Sequence, residues 1–283
     1  MKEKVFTIRS MTRPEVDTAI AWAAAEGWNP GLHDARAFHA ADPGGFLVGL
    51  LDDEPVATIS AVKYGDAFGF IGFYIVQPDS RGRGLGLQIW KAGLARLCGR
   101  TIGLDGVLAQ QENYRKSGFE MAYRNIRYQG ASGRRAPVDR AVVELDTMPF
   151  ENIAAYDQPF FPDDRRAFLR CWLKPPGGIA LGLMQAGRLA GYGVLRPCLS
   201  GYKMGPLLAD EPALAERLFL ALQSQVPKGA PVFLDTPALN PAAVELAQRH
   251  GMSVAFETAR MYRGAAPRLP IDRLFGVTSF ELG

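Results

Sequence analysis

The decisive stretch is Gln77-Pro78-Asp79-Ser80-Arg81-Gly82-Arg83-Gly84-Leu85-Gly86. It follows an apolar run, Phe68–Val76, that reads as a strand. It opens a segment in which Leu85, Ile89, Gly93 and Leu97 recur at helical spacing. A glycine-rich turn between a strand and a helix start suits an anion. Glycines tolerate positive φ and let a ligand approach the backbone, while the first amides of a helix point outward with the dipole behind them. Arg81 and Arg83 add positive charge, and a pyrophosphate would fit such a nest. The plainer alternative is a tight turn with no ligand. A dinucleotide fingerprint fits worse, because the spacing is GxGxG and the strand is not the first of the chain. A Walker loop is excluded, since no Gly-Lys-Ser/Thr follows.

Working outward, Val5–Arg9 reads as a strand. Thr12 with Glu15 forms a capping box, Pro14 lies in the first turn, and the helix is expected to run through Trp22 and Glu26 to Gly27. Trp28-Asn29-Pro30-Gly31 and Asp42-Pro43-Gly44-Gly45 read as turns or loops. Phe46–Leu51 and Val56–Lys63 read as strands joined at Asp52-Asp53-Glu54-Pro55. After the loop and its helix come a strand at Leu104–Leu108, a short helix at Asn113–Lys116 ended by Gly118, and a strand at Met121–Tyr128. Gln129–Pro137 is polar, rich in Gly and Arg, and reads as a linker.

The second half echoes the first at an offset of 133 residues. Gly45, Gly49, Leu50 and Ala57 correspond to Gly178, Gly182, Leu183 and Ala190, and Gly118, Ala122 and Arg127 to Gly251, Ala255 and Arg260. Gly72 also lands on Gly205. The shared offset implies tandem duplication of one α/β unit. Length supports it: 283 residues exceed one ordinary core. The expected division is 1–130, a linker at 131–138, and 139–283. Each unit is expected to be a mixed, mostly antiparallel sheet flanked by helices, an α/β (α+β) class.

Composition narrows the function classes. A net charge of +3 with scattered Lys and Arg argues against nucleic acid. No apolar run approaches the ~20 residues that span a bilayer, and MKEKVFTIRS lacks the apolar core of a signal peptide. Cys98, Cys171 and Cys198 are unpaired by spacing, so a reducing, cytoplasmic setting is expected. Three histidines (His33, His39, His250), far apart, point to no metal.

Val76-x-Pro78-x-x-Arg81-Gly82-x-Gly84-x-Gly86 resembles the acetyl-CoA signature of the GNAT superfamily of N-acetyltransferases. Tyr114-Arg115-Lys116-Ser117-Gly118-Phe119 is similar to that family's Tyr-x-x-x-Gly-Phe segment. Asp235-x-Pro237-x-x-Asn240-x-x-Ala243 with Gly251-Met252 resembles its last strand–helix–strand more distantly. The resemblance implies tandem GNAT-like domains and acetyl-CoA as co-substrate without a metal. It implies that the backbone of Arg81, Gly82, Arg83, Gly84, Leu85 and Gly86 holds the pyrophosphate, that Ile75 and Val76 pair with the pantetheine arm, and that Tyr114 protonates the departing thiolate. The bland alternative for Tyr114 is packing. Many relatives carry a glutamate on the strand before the loop, and Phe68–Val76 has none. Glu26 is the first candidate base, flanked by Trp22, Trp28 and Asn29 as acceptor-binding residues with Phe73. The alternative is a solvated Glu26 with Trp22 in the core. Asp105 is a second candidate, also readable as turn chemistry.

The implied reaction is transfer of an acetyl group to a primary amine of a small molecule or amino acid by direct attack. Rivals are a non-catalytic acyl-CoA-binding or regulatory module and a protein or peptide acetyltransferase. Adding 133 to the loop places its counterpart at Leu214–Phe219, without glycine, so the second unit is expected to bind no CoA and to shape the acceptor site. A homodimer stays open.

Overall fold

A computed structural model describes residues 5–133 and 138–283. Strand β1 (Phe6–Ser10) enters helix α1 (Arg13–Ala25), where the Glu15 carboxylate accepts the Thr12 amide at 2.7 Å and Pro14 lies in the first turn. The next helix, α2 (Asp34–Ala41), begins just past the stretch read as loop and was not expected. It is short and Ala-rich, and no side chain caps it, so it carries little local signal. What holds it is burial of Ala35, Ala37 and Phe38. Strands β2 (Phe46–Leu51) and β3 (Glu54–Tyr64) form a hairpin whose turn residues Asp52 and Asp53 have φ of 52° and 66°.

There follow β4 (Phe68–Val76), α3 (Leu85–Arg96), β5 (Thr101–Val107), α4 (Gln111–Arg115) and β6 (Glu120–Ala131). Strand β6 overruns its expected end at Tyr128 and takes up the start of the expected linker; residues 134–137 of that linker lie outside the described residues.

The same order then repeats. It runs β7 (Val142–Glu144), α5 (Phe150–Asp157), α6 (Arg166–Trp172), β8 (Ile179–Gln185), β9 (Arg188–Pro197), β10 (Tyr202–Ala209), α7 (Pro212–Gln223), β11 (Pro231–Pro237), α8 (Pro241–Arg249) and β12 (Ser253–Arg263). Strand β13 (Leu274–Gly276) and the C-terminal segment follow.

Both halves share one mixed sheet in the order β1-β2-β3-β4-β5-β12-β6-β11-β10-β9-β8-β7, with β13 beside β10. Parallel pairing occurs at β4–β5 and at β10–β11; every other pair is antiparallel. The closing strands are exchanged. Strand β12 of the second half pairs with β5 of the first, and β6 of the first pairs with β11 of the second. The two exchanged strands also pair with each other from Ser253↔Gln129 to Tyr262↔Glu120. The two halves therefore each complete the other's sheet.

One face of the sheet packs against α3 through Ile89 and Trp90, and against α7 and α8 through Leu218, Phe219 and Leu246. The other face packs against α1, α2, α5, α6 and the C-terminal segment. On that second face the central strands carry buried ion pairs across the seam. Arg127 on β6 makes two 2.7 Å bonds to Asp235 on β11, and Arg260 on β12 bonds Asp105 on β5 at 2.9 and 2.6 Å. Removing one partner of such a pair costs about 3–5 kcal/mol, so they fix the pairing of the exchanged strands. Among the described residues no helix is long and apolar enough to cross a membrane.

Strand exchange makes the halves interdependent. Fragments 1–133 and 138–283 expressed separately are expected to be insoluble or unfolded by circular dichroism, and co-expression to recover a folded heterodimer. A fragment 1–133 that folds alone with a cooperative melt would contradict this interdependence.

Candidate active site

Positive φ explains the first two loop glycines. Gly82 and Gly84 have φ of 76° and 77°, and a Cβ at either would meet no protein atom, so both face open space. Gly86 is glycine for another reason: a Cβ there would press on the Tyr74 hydroxyl at 2.8 Å and Val76 at 3.1 Å, because α3 lies tightly on β4. The Arg81 amide donates to Pro78 O at 3.2 Å, and the first amide bound back into α3 is that of Gln88, to Gly84 O. The amides from Gly82 to Leu87 donate to no backbone acceptor. Among the described residues this run of free amides starts and ends one residue later than the expected Arg81–Gly86.

Arg81 is committed elsewhere. Its Nε donates to Val76 O at 2.8 Å and its Nη2 to Glu26. Its side chain ties the loop to β4 and α1 instead of pointing at a phosphate. Arg83 is exposed beside the free amides.

Strand β4 changes character midway. It pairs with β5 only from Phe68↔Thr101 to Ile71↔Leu104, and from Gly72 to Val76 its β5-facing edge is open. The register on β3 also shifts between Thr58 and Ser60, so Phe73 and Tyr74 together oppose Ile59. Phe73 takes φ 46°, unusual for a bulky residue, and the Thr58 hydroxyl holds the bulge by donating to Phe73 O at 2.8 Å. Splay and bulge open a cavity of about 380 Å³. Its walls run from Ile75, Val76 and Trp90 past Tyr114 to Trp28, Phe73, Phe256 and Phe280.

Tyr114 is nearly enclosed. It stacks near Trp90 at 5.5 Å, which in turn lies 5.2 Å from Tyr74, and a side chain at Gly106 would strike its ring. Burial, with Tyr74 adding to it, pushes the Tyr114 phenol up to about 12. The phenol thus keeps its proton through the neutral range.

The expected acceptor residues divide. Trp28 and Phe73 line the cavity. Glu26 lines it too, but Arg81 holds its carboxylate. Trp22 packs into the core on the α1 side and is not a wall. Asn29 is also not a wall: its amide bridges to the other half, donating to Ser200 O at 3.1 Å and accepting the Ser200 amide at 2.9 Å. Asp105 reaches the cavity but is bound by Arg260 and by Asn125 at 2.8 Å. The sequence reading did not place in the site the residues that the exchange and the C-terminal segment deliver: Arg127, noted there only as a repeat identity, Phe256, Thr258, Phe280 and Glu281. None sits in a motif, and no local signal marks them.

Among the described residues the second half has no equivalent glycine loop. Its counterpart of the loop is not Leu214–Phe219, which lies inside α7, but residues 210–211 between β10 and α7. Where residues 77–84 separate β4 from α3, two residues, Asp210 and Glu211, remain, and both are acidic. Among the described residues no group of His, Cys, Asp and Glu could hold a metal ion.

Comparison with known proteins gives a consistent picture. Residues 10–119 match the profile described as Acetyltransferase (GNAT) family, and residues 153–276 that of Acetyltransferase (GNAT) domain. A holothin acyltransferase from a Pseudoalteromonas strain is 31% identical over 282 residues, covering 100% of this chain and 96% of that protein. A provisionally named acetyltransferase from Pyrococcus horikoshii superposes with a TM-score of 0.83 at 24% identity, covering 100% of this chain and 98% of that one. A tandem GNAT protein from the clavulanic acid biosynthesis pathway superposes at 0.65 with 15% identity, over 93% of this chain and 100% of the other. These two structures share the fold.

Replacing Gly84 by Glu puts a side chain on a positive φ and a negative charge before the free amides. Gly84→Glu is expected to abolish CoA binding in calorimetry while the melting temperature stays within the range of surface variants. Retained affinity would remove the loop from the cofactor site.

Proposed function

This chain belongs to the GNAT family of acyltransferases, and from that premise we propose that it carries an acetyl group from acetyl-CoA to a primary amine of a small molecule by direct attack. The observation that carries the reading is one cavity. It joins the open edge of β4 and Arg81 at the start of the loop to Tyr114, whose phenol is protonated, and to an aromatic end built by both halves.

The amides of Gly82 to Leu87 would hold the pyrophosphate, with Arg83 beside them. The open edge at Ile75 and Val76 would take the pantetheine arm as an added strand, a mode that exposed sheet edges favour. The Val76 carbonyl already accepts from Arg81, which leaves the remaining edge groups of β4 to orient the thioester. Tyr114 would give its proton to the leaving sulfur. Trp28, Phe73, Phe256 and Phe280 form an apolar, aromatic place for the acceptor. A related protein named for a small molecule, holothin, supports a small-molecule acceptor over a peptide. The second half acts here as wall, through Phe256, Phe280 and their neighbours, and not as a second cofactor site.

Tyr114→Phe is expected to lower kcat about tenfold or more with little change in CoA affinity, read as thiol release from acetyl-CoA across a panel of amines. Unchanged turnover would remove the assigned role. The pH dependence follows from burial. A raised phenol stays protonated to higher pH, so any alkaline fall in kcat due to Tyr114 lies near 12, above the ordinary phenol value of about 10. A fall centred below 10 that vanishes in Tyr114→Phe would contradict it.

A further inference from the structure

Resting on that transferase reading, we propose that Glu281, carried on the C-terminal segment of the second half, is the base that takes the proton from the acceptor amine. Strand β4 runs Phe68–Val76 without a carboxylate. Gly72, the residue before the bulge, instead leaves room for backbone. A Cβ there would collide with the carbonyl oxygen of Glu281 and approach the Ser60 hydroxyl. The C-terminal segment thus lies directly on β4 at the point where the strand opens. Its equivalent glycine in the second half, Gly205, is pressed in the same way by the carbonyls of Val277 and Thr278. The segment is laid across both fourth strands, and it brings a carboxylate to the one beside the cofactor loop.

Glu281 is 4% exposed and is one of the residues that line the cavity shared by Tyr114 and Phe73. Its Oε2 is buried and has no hydrogen-bond partner. A buried carboxylate oxygen without a donor calls for a physical explanation, and a proton taken up during a reaction is one. The other two carboxylates of the cavity are committed, Glu26 to Arg81 and Asp105 to Arg260 and Asn125. Two cations act on Glu281, one from β6 and one from β10. Arg127 on β6 is held by Asp235 on β11 and lies 4.7 Å over the Phe280 ring. Lys203 on β10 is buried, its Nζ has no partner, and it sits directly across the β9–β10 ladder from Arg196. Arg127 and Lys203 both feel the Glu281 charge, and burial together with Arg127 pushes the Lys203 ammonium down to about 8.

The step balances as follows. The acceptor ammonium gives one proton to the Glu281 carboxylate. The freed nitrogen pair forms the C–N bond at the thioester carbonyl. The C–S bond breaks with its electron pair on sulfur, and Tyr114 protonates that sulfur. The second nitrogen proton returns to the Tyr114 oxygen through solvent, and Glu281 loses its proton to bulk water. Ammonium and acetyl-CoA become amide, CoA thiol and one released proton.

The test compares wild type, Glu281→Gln and Glu281→Asp. Thiol release from acetyl-CoA is followed with holothin, tryptamine and tyramine as acceptors, and with water alone, against pH. Glu281→Gln is expected to lower kcat/KM about 100-fold at pH 7 and to lose the ascending limb of the pH profile, its rate climbing instead with hydroxide. Acetyl-CoA affinity and melting temperature stay at wild-type values, and Glu281→Asp recovers the limb. Wild-type rate and limb retained in Glu281→Gln would overturn the assignment, as would equal losses in Gln and Asp variants accompanied by a lowered melting temperature, which mark a packing role. Wild-type protein that binds acetyl-CoA but releases thiol to none of these acceptors, water included, would overturn the transferase reading itself.

Discussion

The antiparallel ladder between β6 and β12 is the constraint on which the rest of the molecule depends. Each of these strands belongs by sequence to one half and closes the sheet of the other. The exchange turns two duplicated units into one sheet and leaves no free edge where they meet. It also sets the cavity. Strand β12 lies beside β5 and carries Phe256 and Thr258 into the wall, while β6 carries Arg127 in from the opposite side. Buried pairs lock the arrangement from within, Arg127 with Asp235 and Arg260 with Asp105, each reaching from an exchanged strand to its host.

Duplication followed by divergence explains the asymmetry of the halves. Both keep the same succession of elements, and both keep a bare glycine on the fourth strand, Gly72 and Gly205, where the C-terminal segment crosses. Only the first keeps the loop. In the second, the connection between β10 and α7 has shrunk to Asp210-Glu211, too short to form a cradle and of the wrong charge for a phosphate. The second half lacks the loop and contributes side chains to the cavity beside the first.

Local demands were legible in the sequence and long-range ones were not. The loop could be read because Gly82 and Gly84 answer to their own φ, and the helix after it because Leu85, Ile89 and Gly93 answer to one periodicity. The repeat was legible from identities at a fixed offset, which held for strands and broke where the loop was lost. Helix α2 escaped because eight residues are too few to form a helix on local pattern alone, and it is stabilised by what it touches. The exchange escaped because β6 and β12 would bury the same faces in either partner's sheet, so pattern alone cannot choose between them. Asn29 showed the converse error. Its place beside Trp28 suggested a ligand, whereas its amide clamps the backbone of Ser200 across the halves. Glu281 is a lone acid in an apolar tail, and the match of Gly72 to Gly205 was read only as a mark of duplication, because what presses on both glycines is distant in sequence.

The exchange also orders events on the ribosome. A chain made from its N-terminus presents β5 long before β12 exists, so the exposed edge of β5 waits through the synthesis of more than a hundred further residues. Until then the cofactor loop has formed next to an unfinished wall, and the segment bearing Glu281 has not been made. A nascent or prematurely ended chain therefore holds a loop without a reaction chamber. The cavity is complete only once β12 and the segment that crosses β4 have both been made.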